Sequence, residues 1–171
     1  MNRVAEWLSQ TWLSLTIQHH EWIIPTLQSV HIVAIAVVLG SVLMIDLRIL
    51  GLAGRDQTLT ETTDRFGPWL SWALCVLLVT GAAMIVGEPA RQLLALSFWL
   101  KMGLVAIGAA TAFGVQRSIT LHGDQAEIFA RRPAIRVLTM LTLLIWACIV
   151  VLGRLIAYDY VWGSWSEALK R

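Results

Sequence analysis

Two ionisable side chains stand well inside apolar runs of this chain, His31 and Lys101. A charged group at such a position is costly unless it meets a partner or water, so each is a candidate functional residue. His31 has the chemistry of a metal or haem ligand or a proton carrier; its bland role is a neutral imidazole hydrogen-bonded across the helices or to Gln28 one turn away. Lys101 has the chemistry of a counter-ion to an acidic group or a proton relay; its bland role is a side chain that snorkels to the headgroups.

Their depths agree. His31 lies nine residues past Trp22 and Lys101 eight past Leu93, where the respective apolar runs begin. At ~1.5 Å per helical residue both sit roughly 12 to 14 Å below one membrane face. On the antiparallel runs, Thr80 falls seven residues before Gly87 and Cys148 nine before Ala157. A layer of His31, Thr80, Lys101 and Cys148 is therefore geometrically possible, with Met84 and Met102 near it. Two chemistries suit that layer. One is haem b with its iron on His31, Lys101 and Arg154 offsetting propionate charge, and apolar walls setting the potential. The other is a soft cuprous ion held by His31, Met84, Met102 and Cys148. Depth alone leaves open which face of each helix turns inward, whether a second axial ligand exists, and whether Arg154 instead snorkels to headgroups.

The remaining reactive residues carry blander readings. Cys75 and Cys148 fall in apolar segments, where a thiol packs as a small hydrophobe, and they form no disulfide framework. His19 and His20 are adjacent, and an i, i+1 pair on a helix does not converge on one ion. His122 lies in a polar connection, and Asp46 and Arg48 are expected to pair locally or with Arg117.

The elements that must position these residues are helices in a membrane. Of 171 residues, 57% are hydrophobic and only 14% charged, against about 25% charged in a soluble domain. Mean hydropathy is +0.70. Four apolar runs, about 22–45, 66–87, 93–115 and 135–157, each reach across a ~30 Å hydrocarbon core as a helix. Before them, Val4, Trp7, Leu8, Trp12 and Leu15 recur at helical steps among polar residues, which predicts one amphipathic interfacial helix over 1–20. No basic n-region leads into an apolar core there, so no cleavable signal peptide is expected. The chain is read as a single membrane domain over 1–171.

Lys and Arg counts set an expected orientation. Arg48, Arg55, Arg65, Arg117, Arg131, Arg132 and Arg136 lie on one side, against Arg3, Arg91, Arg154, Lys170 and Arg171 on the other. The positive-inside bias puts the first and third connections in the cytoplasm and the termini in the periplasm. Trp7, Trp12 and Trp22, with Tyr158, Tyr160, Trp162 and Trp165, form an aromatic belt on the terminal face. A net charge of +2 without a basic stripe excludes nucleic acid as a partner.

Taken together, Trp22-Ile-Ile-Pro25, Gln28, Ser29, His31 and Asp46-Leu-Arg-Ile-Leu-Gly51 resemble an uncharacterised family of bacterial four-helix membrane proteins. The likeness extends to Thr80-Gly81, Phe98-Trp-Leu-Lys101 and Gly153-Arg-Leu-Ile-Ala-Tyr158. More distantly, the first-span His, the Arg near that span's far end and the Lys early in the third span are similar to copper-resistance D membrane proteins and to HemJ-type protoporphyrinogen oxidases. The HemJ-type likeness implies bound haem b and a redox role; the copper-resistance D likeness implies copper passage or handling. The chain departs from the HemJ-type pattern after Lys101, where Phe113 and Gln116 stand in the region of an expected histidine.

The resulting expectation is an all-α integral membrane bundle of four transmembrane helices with an N-terminal interfacial helix, in a bacterial inner membrane. It binds haem b near its outer face for electron transfer through His31, Lys101 and Arg154. The alternatives are copper transport or handling, and a cofactor-free accessory or scaffold subunit. Besides the lipid bilayer, a redox or periplasmic protein and a second copy of the chain are candidate partners.

Overall fold

The four apolar runs are rich in Leu, Ile, Val and Ala, and a backbone in lipid must satisfy its own hydrogen bonds, which a helix does within one segment. A computed structural model of the protein describes residues 2–93 and 96–155, and no strand occurs among them. Along the chain run α1 (Asn2–Ser9), α2 (Trp12–His19), α3 (Ile23–Leu50), α4 (Leu59–Gly87), α5 (Pro89–Leu93), α6 (Leu96–His122), a 3₁₀ turn at Gly123–Gln125, α7 (Ala126–Ala130) and α8 (Pro133–Leu155). Four of these, α3, α4, α6 and α8, are long and apolar enough to cross a membrane.

α3 runs past the end of its apolar run and α4 starts ahead of its own, because caps fix these two ends. α3 closes at Gly51, which adopts φ 74° and donates its N–H to Arg48, a left-handed conformation that glycine takes at little cost. α4 starts at Leu59 because Thr58 and Glu61 form a capping box. Thr58 Oγ1 accepts from the Glu61 N–H at 3.2 Å, and a Glu61 carboxylate oxygen accepts from the Thr58 N–H at 2.7 Å.

The N-terminal segment is two helices rather than the single one expected over 1–20. Ser9 and Thr11 turn their hydroxyls onto the Glu6 and Leu8 carbonyls at 2.7 Å, and Thr11 then caps α2. The apolar side chains of Trp7, Trp12, Leu13 and Leu15 stay exposed, while Ser14 and Ile17 turn inward. Ser14 donates to the Val86 carbonyl at 2.7 Å, so α2 is seated on the end of α4.

α3 packs chiefly on α4 and α6 on α8, and α3 against α8 joins the two pairs. One core cluster, in the middle of the bundle, includes Val38, Val42, Leu70, Leu74, Ala112 and Trp146; a second, towards the connections, includes Ile45, Ile49, Leu59, Val115 and Ile119. Outward faces carry Ile32, Val33, Leu78, Val79 and Leu144, each at least 60% exposed, an apolar surface suited to lipid. Tyr158, Tyr160, Trp162, Trp165 and the end of the fourth run at Ala157 lie outside the described residues.

Candidate functional site

α3 and α4 run antiparallel, and their packing sets His31 against Thr80. His31 Nδ1 lies 2.7 Å from Thr80 Oγ1. Thr80, only 5% exposed, has one hydroxyl hydrogen, and it is donated to the Val76 carbonyl one turn back at 2.7 Å. With that hydrogen on Val76, the oxygen accepts from His31 Nδ1–H, and in the neutral ring of that tautomer Nε2 presents the lone pair. Such an anchored N–H is the arrangement that orients a histidine as a ligand.

Lys101 completes the layer from α6. It is half-buried. On its other side stands α8, where a Cβ added to Gly153 would lie 3.5 Å from Lys101 Nζ. A Cβ added to Gly81 would lie 3.7 Å from His31 Cε1. Glycine at both positions keeps the two side chains clear of bulk. No carboxylate among the described residues forms an ion pair with Lys101. A cation so placed within a span favours an acidic ligand.

The other expected members of the layer lie elsewhere. Cys148 and Met102 are exposed on α8 and α6, and Cys148 lines an apolar groove of about 660 Å³ with Trp99, Leu104 and Val151. Arg154 is exposed on α8 next to Gly153. No group of three or more His, Cys, Asp or Glu side chains that could hold a metal ion occurs among the described residues. Gln28 is exposed, and the hydrogen-bond partner of His31 is Thr80.

At the connection end the expected Asp46–Arg48 or Asp46–Arg117 pair does not form. Arg48 is drawn to α7, where it ion-pairs with Glu127, and its Nε donates to the Gln57 carbonyl at 2.8 Å. The same Glu127 carboxylate accepts from the Leu59 N–H at 3.1 Å, so it ties together the ends of α3, α4 and α7. Asp46, 5% exposed, is left with its Oδ2 buried and without a hydrogen-bond partner. The sequence reading missed this because Arg48, two residues away, offered the simpler partner.

Fold and site together define a multi-pass helical membrane protein with a polar layer buried beneath one face of its bundle. The chain belongs to a family of unknown function (DUF6644), whose model matches residues 4–159. No curated protein and no solved structure matches it. The likeness to copper-resistance D and HemJ-type proteins therefore rests on the residues quoted above.

Proposed function

We propose that the chain binds haem b through His31 Nε2, near the outer side of a bacterial inner membrane, and passes electrons there. The observation that carries this reading is the contact of His31 Nδ1 with Thr80, whose hydroxyl bonds the Val76 carbonyl: in a neutral imidazole it directs Nδ1–H to Thr80 and leaves Nε2 as the ligand nitrogen. The reading assigns the imidazole of His31 to the iron, and Lys101 and Arg154 to the propionates. Haem supplies one-electron redox chemistry when bound. His31 positions it, Lys101 and Arg154 offset its acidic groups, and the apolar side chains around the layer limit water.

Copper handling draws less support, because Cys148 and Met102 are exposed on their helices while His31 is turned to Thr80. The test is an ultraviolet-visible spectrum of detergent-purified protein, oxidised and dithionite-reduced, with metal analysis of the same sample. A Soret band and a reduced α-band, both lost in His31→Ala, are expected. A featureless spectrum overturns the haem reading; copper bound in place of haem transfers the site to the copper reading.

A further inference from the structure

The bundle holds a second buried polar layer, at the end opposite His31. From the His31–Thr80 contact, about four turns along α3 lead to Asp46, and about four turns back along α4 lead to the stretch between Thr63 and Gly67. Gly67 in turn touches α6, since a Cβ added to it would lie 3.0 Å from Gln116 Oε1. Asp46, Thr63 and Gln116 thus share one level on three helices. Asp46 Oδ2, Thr63 Oγ1 and Gln116 Nε2 are all buried polar atoms without a hydrogen-bond partner. Buried polar groups are nearly always satisfied, so three unpartnered polar atoms at one level are a set suited to a polar ligand.

Thr63 sharpens the point. Thr62, Thr80, Thr139 and Thr142 are equally buried, and each donates its hydroxyl to the carbonyl four residues back. Thr63, 5% exposed, does not; its hydroxyl is left free for something else. Thr63 and Gln116 also line a pocket of about 400 Å³ with Asp64, Ser71 and Arg117 at the connection end, which gives these two residues a route to water. Arg48 is engaged by Glu127 and does not neutralise Asp46.

We propose that Asp46, Thr63 and Gln116 form a binding site for a small hard monovalent cation, with Na⁺ as its ligand. A carboxylate oxygen, a hydroxyl oxygen and an amide oxygen, the last presented by a half-turn of the Gln116 amide, are hard donors. One carboxylate balances one positive charge, and a neutral ion–carboxylate pair avoids the cost of a lone buried charge. The site is independent of the His31 layer and of any group held there.

The test is thermal unfolding of the full-length protein in detergent, with NaCl replaced stepwise by choline chloride at constant ionic strength. The Tm of the wild type rises saturably with Na⁺, and this rise disappears in Asp46→Asn. Thr63→Val and Gln116→Ala keep the carboxylate and raise the half-saturating Na⁺ concentration roughly tenfold or more; they carry the test if Asp46→Asn does not fold. A Tm indifferent to Na⁺, including one that responds only to acidification, overturns the proposal. So does a Na⁺ response that survives Asp46→Asn, or half-saturation unmoved by both conservative variants.

Discussion

Thr80 holds His31 by the only atom it has to offer. With its hydroxyl hydrogen committed to Val76, it accepts from His31 Nδ1, and removing that oxygen would free the ring to rotate and change tautomer. On the haem reading proposed above, Thr80→Val is therefore expected to weaken haem retention roughly 10- to 100-fold, as loss of an outer-shell partner does, while Thr80→Ser retains it. Haem titration of the depleted protein decides; equal affinity in Val and Ser variants would show that the hydroxyl does not orient the ligand. His31, Thr80 and Lys101 were legible in the sequence because ionisable residues in an apolar run are rare and helical rise converts position into depth. Cys148 was not legible as a groove residue, because rise fixes depth while the rotation of α8 fixes direction, and only packing sets that. Asp46 was misread for a related reason: its proximity to Arg48 in sequence says nothing of Glu127, which reaches Arg48 from α7.

At the scale of elements, hydropathy located the spans but missed the end of α3 and the start of α4, which depend on Gly51, Thr58 and Glu61 rather than on apolar content. The split of the N-terminal segment followed from Thr11, a capping residue inside an apparently continuous amphipathic pattern. What seats α2 is Gly87. A Cβ added there would stand 2.6 Å from Ile24 Cδ1 and 2.8 Å from Ile17 Cγ2, so two branched side chains occupy the space a larger residue needs. Overpacking of this kind costs about 1–3 kcal/mol. In Gly87→Val the strain is relieved by lifting α2, which also loses the Ser14–Val86 hydrogen bond. Hydrogen exchange is expected to quicken across 12–19 and to stay unchanged in the middle of α3 and α8. Unaltered protection of α2 would mean that Ile17 and Ile24 simply repack.

Across the whole molecule, two polar layers stand at opposite ends of one bundle with Val38, Val42, Leu70, Leu74 and Trp146 between them. The apolar middle separates His31 from Asp46 by about four helical turns, roughly 22 Å along α3. Neither residue has a hydrogen-bond partner in common with the other, since His31 is bonded to Thr80 and Asp46 Oδ2 has no partner. Substitutions that far apart without shared partners add to within ~0.5 kcal/mol. The effects of His31→Ala and Asp46→Asn on unfolding free energy, measured singly and together in one detergent, are therefore expected to sum. A coupling well beyond that limit would mean that the central packing has two arrangements which both layers bias, and that ligand binding at one end is felt at the other. Additivity would mean that the core of α3, α4, α6 and α8 acts as a rigid divider, each layer working from its own face.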